Sequence, residues 1–171
     1  MASGMDRRSF LKIGAVGATG IAQAMPATSV AAAKTAGNQP PEVRRYAELG
    51  NTGLRISDIS FGSSQIRAGE ESLVRHALAR GVNYFDTAED YARGVSEPVL
   101  GRALKGDRDK VIIGTKTKAY ASTRASDLMI ALEASLNRLQ TDYIDIYFNH
   151  AVNSLDRLQN PEWFEFIEKS K

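Results

Sequence analysis

The stretch Gly81-Val82-Asn83-Tyr84-Phe85-Asp86-Thr87-Ala88-Glu89-Asp90-Tyr91 decides how the rest of the chain is read. A short apolar run, Val82 to Phe85, has the length of a buried β-strand but ends on a carboxylate, and Tyr91 follows five residues later. Burying a charge is costly unless something pairs with it. A strand tip ending in Asp86, with a tyrosine in the loop above it, therefore points at a partner or a ligand.

On either side of this stretch the same rhythm repeats. Upstream, residues 70–81 (EESLVRHALARG) place Leu73, Ala77 and Leu78 on one helical face, with Gly81 as the stop. Before that, residues 56–62 (ISDISFG) are expected to be the first core strand, alternating loosely at Ile56, Asp58, Ile59 and Phe61. Residues 46–57 (YAELGNTGLRIS) turn at Asn51-Thr52-Gly53, the signal of a β-hairpin. Downstream come a helix from Ser96 with Pro98 in its first turn, a strand at 110–117 (KVIIGTKT) and a long helix at 122–140. That long helix carries Leu128, Ala131, Leu132, Ser135, Leu136 and Leu139 as one stripe. A strand at 142–150 (DYIDIYFNH) and a helix over Pro161 to Lys169 complete the described order. Four strand–helix pairs in succession predict a parallel α/β sheet with right-handed crossovers, preceded by the hairpin.

Each expected strand delivers polar or small groups at its C-terminal end: Gly62-Ser63, Asp86, Lys116 and Asn149-His150. That is the end at which parallel α/β proteins bind ligands. Singly these residues are unremarkable, since a strand-end aspartate can cap a helix and a lysine can reach solvent. Four in a row at the same end are informative. A tyrosine with its ordinary pKa of about 10 is a poor proton donor near neutrality. A lysine ammonium about 4 Å away, at an effective dielectric near 20, favours the phenolate by roughly 4 kcal/mol. Asp86 would hold Lys116 in place and keep it charged, while partly offsetting its effect on Tyr91. His150 can hydrogen-bond a substrate oxygen through one ring nitrogen. Together they make a site that protonates a carbonyl oxygen while another group delivers hydride to its carbon.

The front of the chain reads as an address. Arg7-Arg8-Ser9-Phe10-Leu11-Lys12 precedes a small-residue apolar run from Ile13 to Met25 and an A-x-A-like end at Ala31-Ala32-Ala33. This resembles a bacterial twin-arginine export signal over residues 1–33, which implies the translocation machinery as a partner and a periplasmic or other extracytoplasmic location. Residues 34–41, with Gly37, Pro40 and Pro41, read as a linker, and the folded part is expected to run from 42 to 171. The 171 residues carry 22 basic and 20 acidic side chains, and residues 34–171 hold 19 of each. No basic stripe interleaved with aromatics marks a nucleic-acid surface. With no cysteine, the chain has no disulfide, thiol nucleophile or thiolate metal site, and no metal site is expected.

At this point the chain, from about Tyr46 to Lys171, resembles the aldo-keto reductases. The segments that carry the resemblance are GVNYFDTAEDY, VIIGTKT and LNRLQTDYIDIYFNH. The resemblance implies a (β/α)8 TIM barrel, of which four β/α units and the hairpin are present here, and NADPH- or NADH-dependent reduction of a small carbonyl substrate. It maps the catalytic tetrad onto Asp86, Tyr91, Lys116 and His150. Tyr91 is then the general acid, Lys116 its activator, Asp86 the group that orients Lys116, and His150 the residue that positions the carbonyl. Gly62, Ser63 and Asp86 fall beside the cofactor. The family's grip on the nicotinamide amide and the adenosine phosphate comes from later strands. The chain alone is accordingly expected to bind NADPH weakly or not at all and to be impaired or inactive. The alternatives are a half-barrel acting as a binding or interaction module, one completed by a second half in trans, and one that associates through open barrel edges.

Overall fold

The computed structural model describes residues 41–171. The expected export signal and, apart from Pro41, the linker lie outside the described residues. The hairpin forms as the sequence predicts: β1 (Tyr46–Glu48) pairs antiparallel with β2 (Arg55–Ser57), Tyr46 facing Ser57. Its turn is closed by the Leu49 amide on the Leu54 carbonyl (2.8 Å) and the Thr52 hydroxyl on the Leu49 carbonyl (2.6 Å).

The main sheet has four strands in the order β3 (Phe61–Gly62), β4 (Tyr84–Asp86), β5 (Ile112–Thr117) and β6 (Ile146–Asn149). All three pairings are parallel. The register sets Gly62 beside Asp86 and Asp86 beside Gly114, and Lys116 beside Phe148. The helices are α1 (Glu71–Ala79), α2 (Ser96–Leu104), α3 (Ala125–Leu139), α4 (Leu155–Leu158) and α5 (Pro161–Lys169). This is a partial (β/α) barrel: a parallel sheet with a helix after each strand.

Alternation along the strands divides the sheet into two faces. Phe85 and Ile113 join Val74, Val99, Leu100, Leu104 and Leu139 in the main core. The opposite face carries Tyr84, Asp86, Gly114 and Lys116, where a Cβ on Gly114 would stand 2.9 Å from the Tyr84 hydroxyl and 3.3 Å from Phe148. A second core forms where Trp163 and Phe166 of α5 meet Ala119, Ala125 and Leu128. Glu97 is buried at the join of α2, α3 and β5. Its carboxylate accepts from Thr115 Oγ1 (2.6 Å) and from Arg138 Nε (2.7 Å).

Two expectations change, and one helix is added. The first core strand is only Phe61–Gly62, because the Ser57 hydroxyl bonds the Ile59 carbonyl (2.7 Å) and bends the chain there; Ile59 is 61% exposed. On α1 the buried residue is Val74, not Leu73, which is 51% exposed. Val74, Ala77 and Leu78 follow the i, i+3, i+4 spacing of a helical face more closely than Leu73, Ala77 and Leu78 do. Helix α4 carries no sequence signal strong enough to be anticipated. Gly81 does end α1: its φ of 89° is left-handed, and the Gly81 and Val82 amides bond back to Leu78 and Ala77. A Cβ there would stand 2.8 Å from the Tyr46 hydroxyl, which donates to the Gly81 carbonyl (2.7 Å) and fastens the hairpin beneath the sheet.

Tyr147 on β6 stacks on Trp163 with ring centres 6.4 Å apart, and its hydroxyl is buried without a hydrogen-bond partner. Burial pushes this phenol far above the usual tyrosine range. Burial, and then the charge of Asp86, raise Tyr84 as well. A raised folded-state pKa contributes stability that is fully present below the unfolded value, about 10, and is lost as pH rises beyond it. The urea midpoint is therefore expected to fall above about pH 10. Tyr147→Phe removes an unpartnered buried hydroxyl, so stability at pH 7 should hold or rise by up to about 1 kcal/mol, with a shallower alkaline decline. A large loss at pH 7, or an unchanged decline, contradicts this.

Candidate active site

The C-terminal ends of the strands bring the predicted residues together. Lys116 Nζ donates to Asp86 Oδ2 (2.7 Å) and to the Thr87 carbonyl (2.6 Å). Both partners sit on the end of the neighbouring strand, and the parallel register makes the reach short. The same ammonium lies 4.8 Å from the centre of the Tyr91 ring. The His150 ring meets the Tyr91 ring edge-on, with centres 5.5 Å apart. Asp86, Tyr91, Lys116 and His150 thus form one cluster drawn from β4, the loop after it, β5 and the exit of β6.

The loop carrying Tyr91 is a short 3-10 turn, Tyr91–Gly94, in which Ala92 (φ 52°) and Arg93 (φ 57°) both adopt left-handed backbone. Residues with a Cβ rarely do so. The turn is anchored by hydrogen bonds from the Tyr91 amide to the Ala88 carbonyl (3.2 Å) and from the Val95 amide to the Ala92 carbonyl (3.3 Å).

Gly62 is exposed at the end of β3, with open space where a Cβ would stand, and neighbours Asp86 in register. The Ser63 hydroxyl turns inward. It donates to the Asp86 carbonyl (2.7 Å) and accepts from Ser96 Oγ (2.6 Å), which also bonds Thr87 Oγ1 (2.8 Å). This buried hydroxyl chain fixes the peptides of Asp86 and Thr87, the two groups that hold Lys116. Ser96 starts α2 as expected, but its hydroxyl serves this chain instead of capping the helix.

Sequence reasoning missed Asp90. Its carboxylate lies 3.4 Å from His150 Nδ1, too long for a good hydrogen bond, and among the described residues Nδ1 is otherwise buried without a partner. The hydrogen bond from Lys118 Nζ (2.6 Å) holds the Asp90 carboxyl below the usual aspartate range. The signal was present in the sequence: Lys118 stands two residues after Lys116, on the same side of the strand end, and Asp90 directly precedes Tyr91.

This cluster sits inside a segment that matches a known family: residues 59–171 match the aldo/keto reductase family. The chain belongs to that family. An L-galactose dehydrogenase of Arabidopsis thaliana is 36% identical over 126 residues, covering 64% of this chain and 40% of the plant enzyme. An aldo-keto reductase structure from Pseudomonas aeruginosa superposes with a TM-score of 0.65 at 30% identity, covering 77% of this chain and 56% of the other. A Klebsiella pneumoniae aldo/keto reductase in complex with NADP and acetate gives a TM-score of 0.58 at 30% identity, covering 68% and 44%. The chain therefore spans about two fifths of the length of the plant relative. The matched segment, residues 59–171, contains the four-stranded sheet and the strand-end cluster.

Proposed function

We propose that this chain carries the proton-transfer side of an NAD(P)H-dependent reduction of a carbonyl to an alcohol. The observation that supports it most is the placement of Lys116, bonded to Asp86 while its ammonium stands 4.8 Å from the Tyr91 ring centre. The complex of the Klebsiella relative with NADP supports the choice of cofactor.

The residues present fit the nicotinamide end of such a cofactor. Gly62 leaves open space at the strand end beside Asp86, whereas Ser63, expected beside the cofactor, is buried with its hydroxyl and amide both on the Asp86 carbonyl and its own carbonyl on the Ile66 amide. A nicotinamide cofactor, when bound, supplies the hydride that forms the new C–H bond. Tyr91 gives its hydroxyl proton to the carbonyl oxygen as that oxygen gains charge, and the new O–H bond leaves a phenolate. Lys116 stabilises the phenolate's charge. Asp86 and the Thr87 carbonyl keep Lys116 from swinging away. The His150 ring, edge-on to Tyr91, hydrogen-bonds the same substrate oxygen and sets its position.

With the ammonium 4.8 Å from the ring centre and an effective dielectric near 20, a negative charge spread over that ring would be stabilised by about 3 kcal/mol. Asp86 offsets part of this. Lys116→Met is expected to slow turnover by about tenfold to a hundredfold. The assay is oxidation of NADPH, at millimolar concentration, that depends on an added aldehyde. Of the two expectations for the chain alone, weak binding with impaired turnover is the one proposed, so millimolar NADPH should give a low but measurable wild-type rate. No aldehyde-dependent oxidation, or a Lys116→Met chain as fast as wild type, overturns the reading.

A further inference from the structure

Arg157 stands in α4, and its side chain is buried, with the residue only 9% exposed. Among the described residues no carboxylate pairs with it. Its partners are backbone carbonyls: Nε donates to Ala119 (2.9 Å), Nη2 to His150 (2.8 Å) and Nη1 to Ala151 (2.7 Å). Nη1 also lies 3.4 Å from Asn153 Oδ1, and the guanidinium carbon lies 4.9 Å from the Tyr120 ring centre. A buried cation without an anion is costly, and the carbonyl dipoles offset that cost here.

These carbonyls belong to the exits of two catalytic strands, Ala119 beyond β5 and His150 and Ala151 beyond β6. Ala151 is left-handed (φ 52°), so the chain reverses immediately after His150. Arg157 holds both carbonyls of that reversal. From the other side, the His150 amide donates to the Thr117 carbonyl (2.7 Å), and the Ala119 amide donates to Asn149 Oδ1 (3.2 Å). The His150 backbone is therefore fixed from two directions, while among the described residues its ring nitrogen Nδ1 has no hydrogen-bond partner. The ring has only the 3.4 Å contact of Asp90 at Nδ1 and the edge of Tyr91 beside it, so its placement depends on where this backbone is held.

We propose that Arg157 is a positioning residue for His150, clamping the β6 exit to the β5 exit so that the imidazole stays edge-on to Tyr91. The assignment rests on reading His150 as the group that meets the substrate oxygen. The planar guanidinium bonds these three carbonyls from three separate nitrogens in fixed directions, whereas an ammonium presents all its donors from one nitrogen and does not match that spread.

The chain has two histidines, His150 and the exposed His76 on α1, so the second is an internal control. The test is imidazole nitrogen NMR on the full chain labelled at histidine, with Trp163 fluorescence and the urea midpoint reporting the fold. Arg157→Ala is expected to displace or broaden the His150 signals and leave those of His76 unchanged, with Arg157→Lys intermediate. A generally loosened structure would instead lower the urea midpoint without moving His150 selectively. If Arg157→Ala does not fold, the smaller selective displacement in Arg157→Lys carries the test. His150 signals that match wild type in the folded variant overturn the clamp. Because no turnover is measured, a failed clamp and a failed reductase reading show up in separate experiments.

Discussion

Gly101→Ala is expected to lower the stability of the folded chain by about 3 kcal/mol, read as a drop in the urea midpoint. Gly101 lies in the middle of α2, where replacing glycine by alanine ordinarily gains roughly 1 kcal/mol from backbone entropy. The expected sign is reversed because of what stands opposite. A Cβ at this position would lie 2.6 Å from both the carbonyl carbon and oxygen of Leu139 and 2.7 Å from the Arg138 carbonyl. Those atoms are backbone at the end of α3 and cannot rotate away. The same helix end delivers the half-buried Arg138 to the buried Glu97, so moving α3 outward would also strain the pairing of a buried carboxylate. Gly106→Ala is the control, since nothing lies within 4 Å of its Cβ position. A Gly101→Ala chain as stable as wild type would show that the two helices do not pack this closely.

Most of the site was legible because strands impose a simple rule. Parallel strands present their C-terminal ends together, so Asp86, Lys116 and His150 could be placed on one rim from spacing alone, and Tyr91 followed as the loop residue above it. The hairpin was legible from Asn51-Thr52-Gly53 and the α1 stop from Gly81, because both depend on local backbone chemistry. What escaped depends on tertiary geometry. Gly101 looks like any helical glycine until α3 is laid against it. Arg157 looks like a surface arginine on a short polar segment, since nothing in its neighbours announces three free carbonyls. The inward turn of the Ser63 hydroxyl depends on Ser96 arriving 33 residues later. Leu73 misled because it is more apolar than Val74, while helical spacing sends the valine to the core.

Tyr91→Phe carries the other large expected effect. The substitution keeps the ring, its edge contact with His150 and its place beside Lys116, and removes only the hydroxyl. Among the described residues no side chain hydrogen-bonds that hydroxyl in the resting chain, so the fold should be little affected. General-acid assistance contributes typically about a hundredfold to ten-thousandfold. Removing the donor should therefore cost about 3 to 5 kcal/mol in the barrier. In the proposed mechanism His150 hydrogen-bonds the substrate oxygen and Tyr91 transfers the proton.

The most direct measurement is aldehyde-dependent NADPH oxidation by the wild-type and Tyr91→Phe chains side by side, with equal urea midpoints confirming equal folding. The account predicts a rate at least about a hundredfold lower in Tyr91→Phe. A Tyr91→Phe chain that reduces the aldehyde at close to the wild-type rate would contradict it.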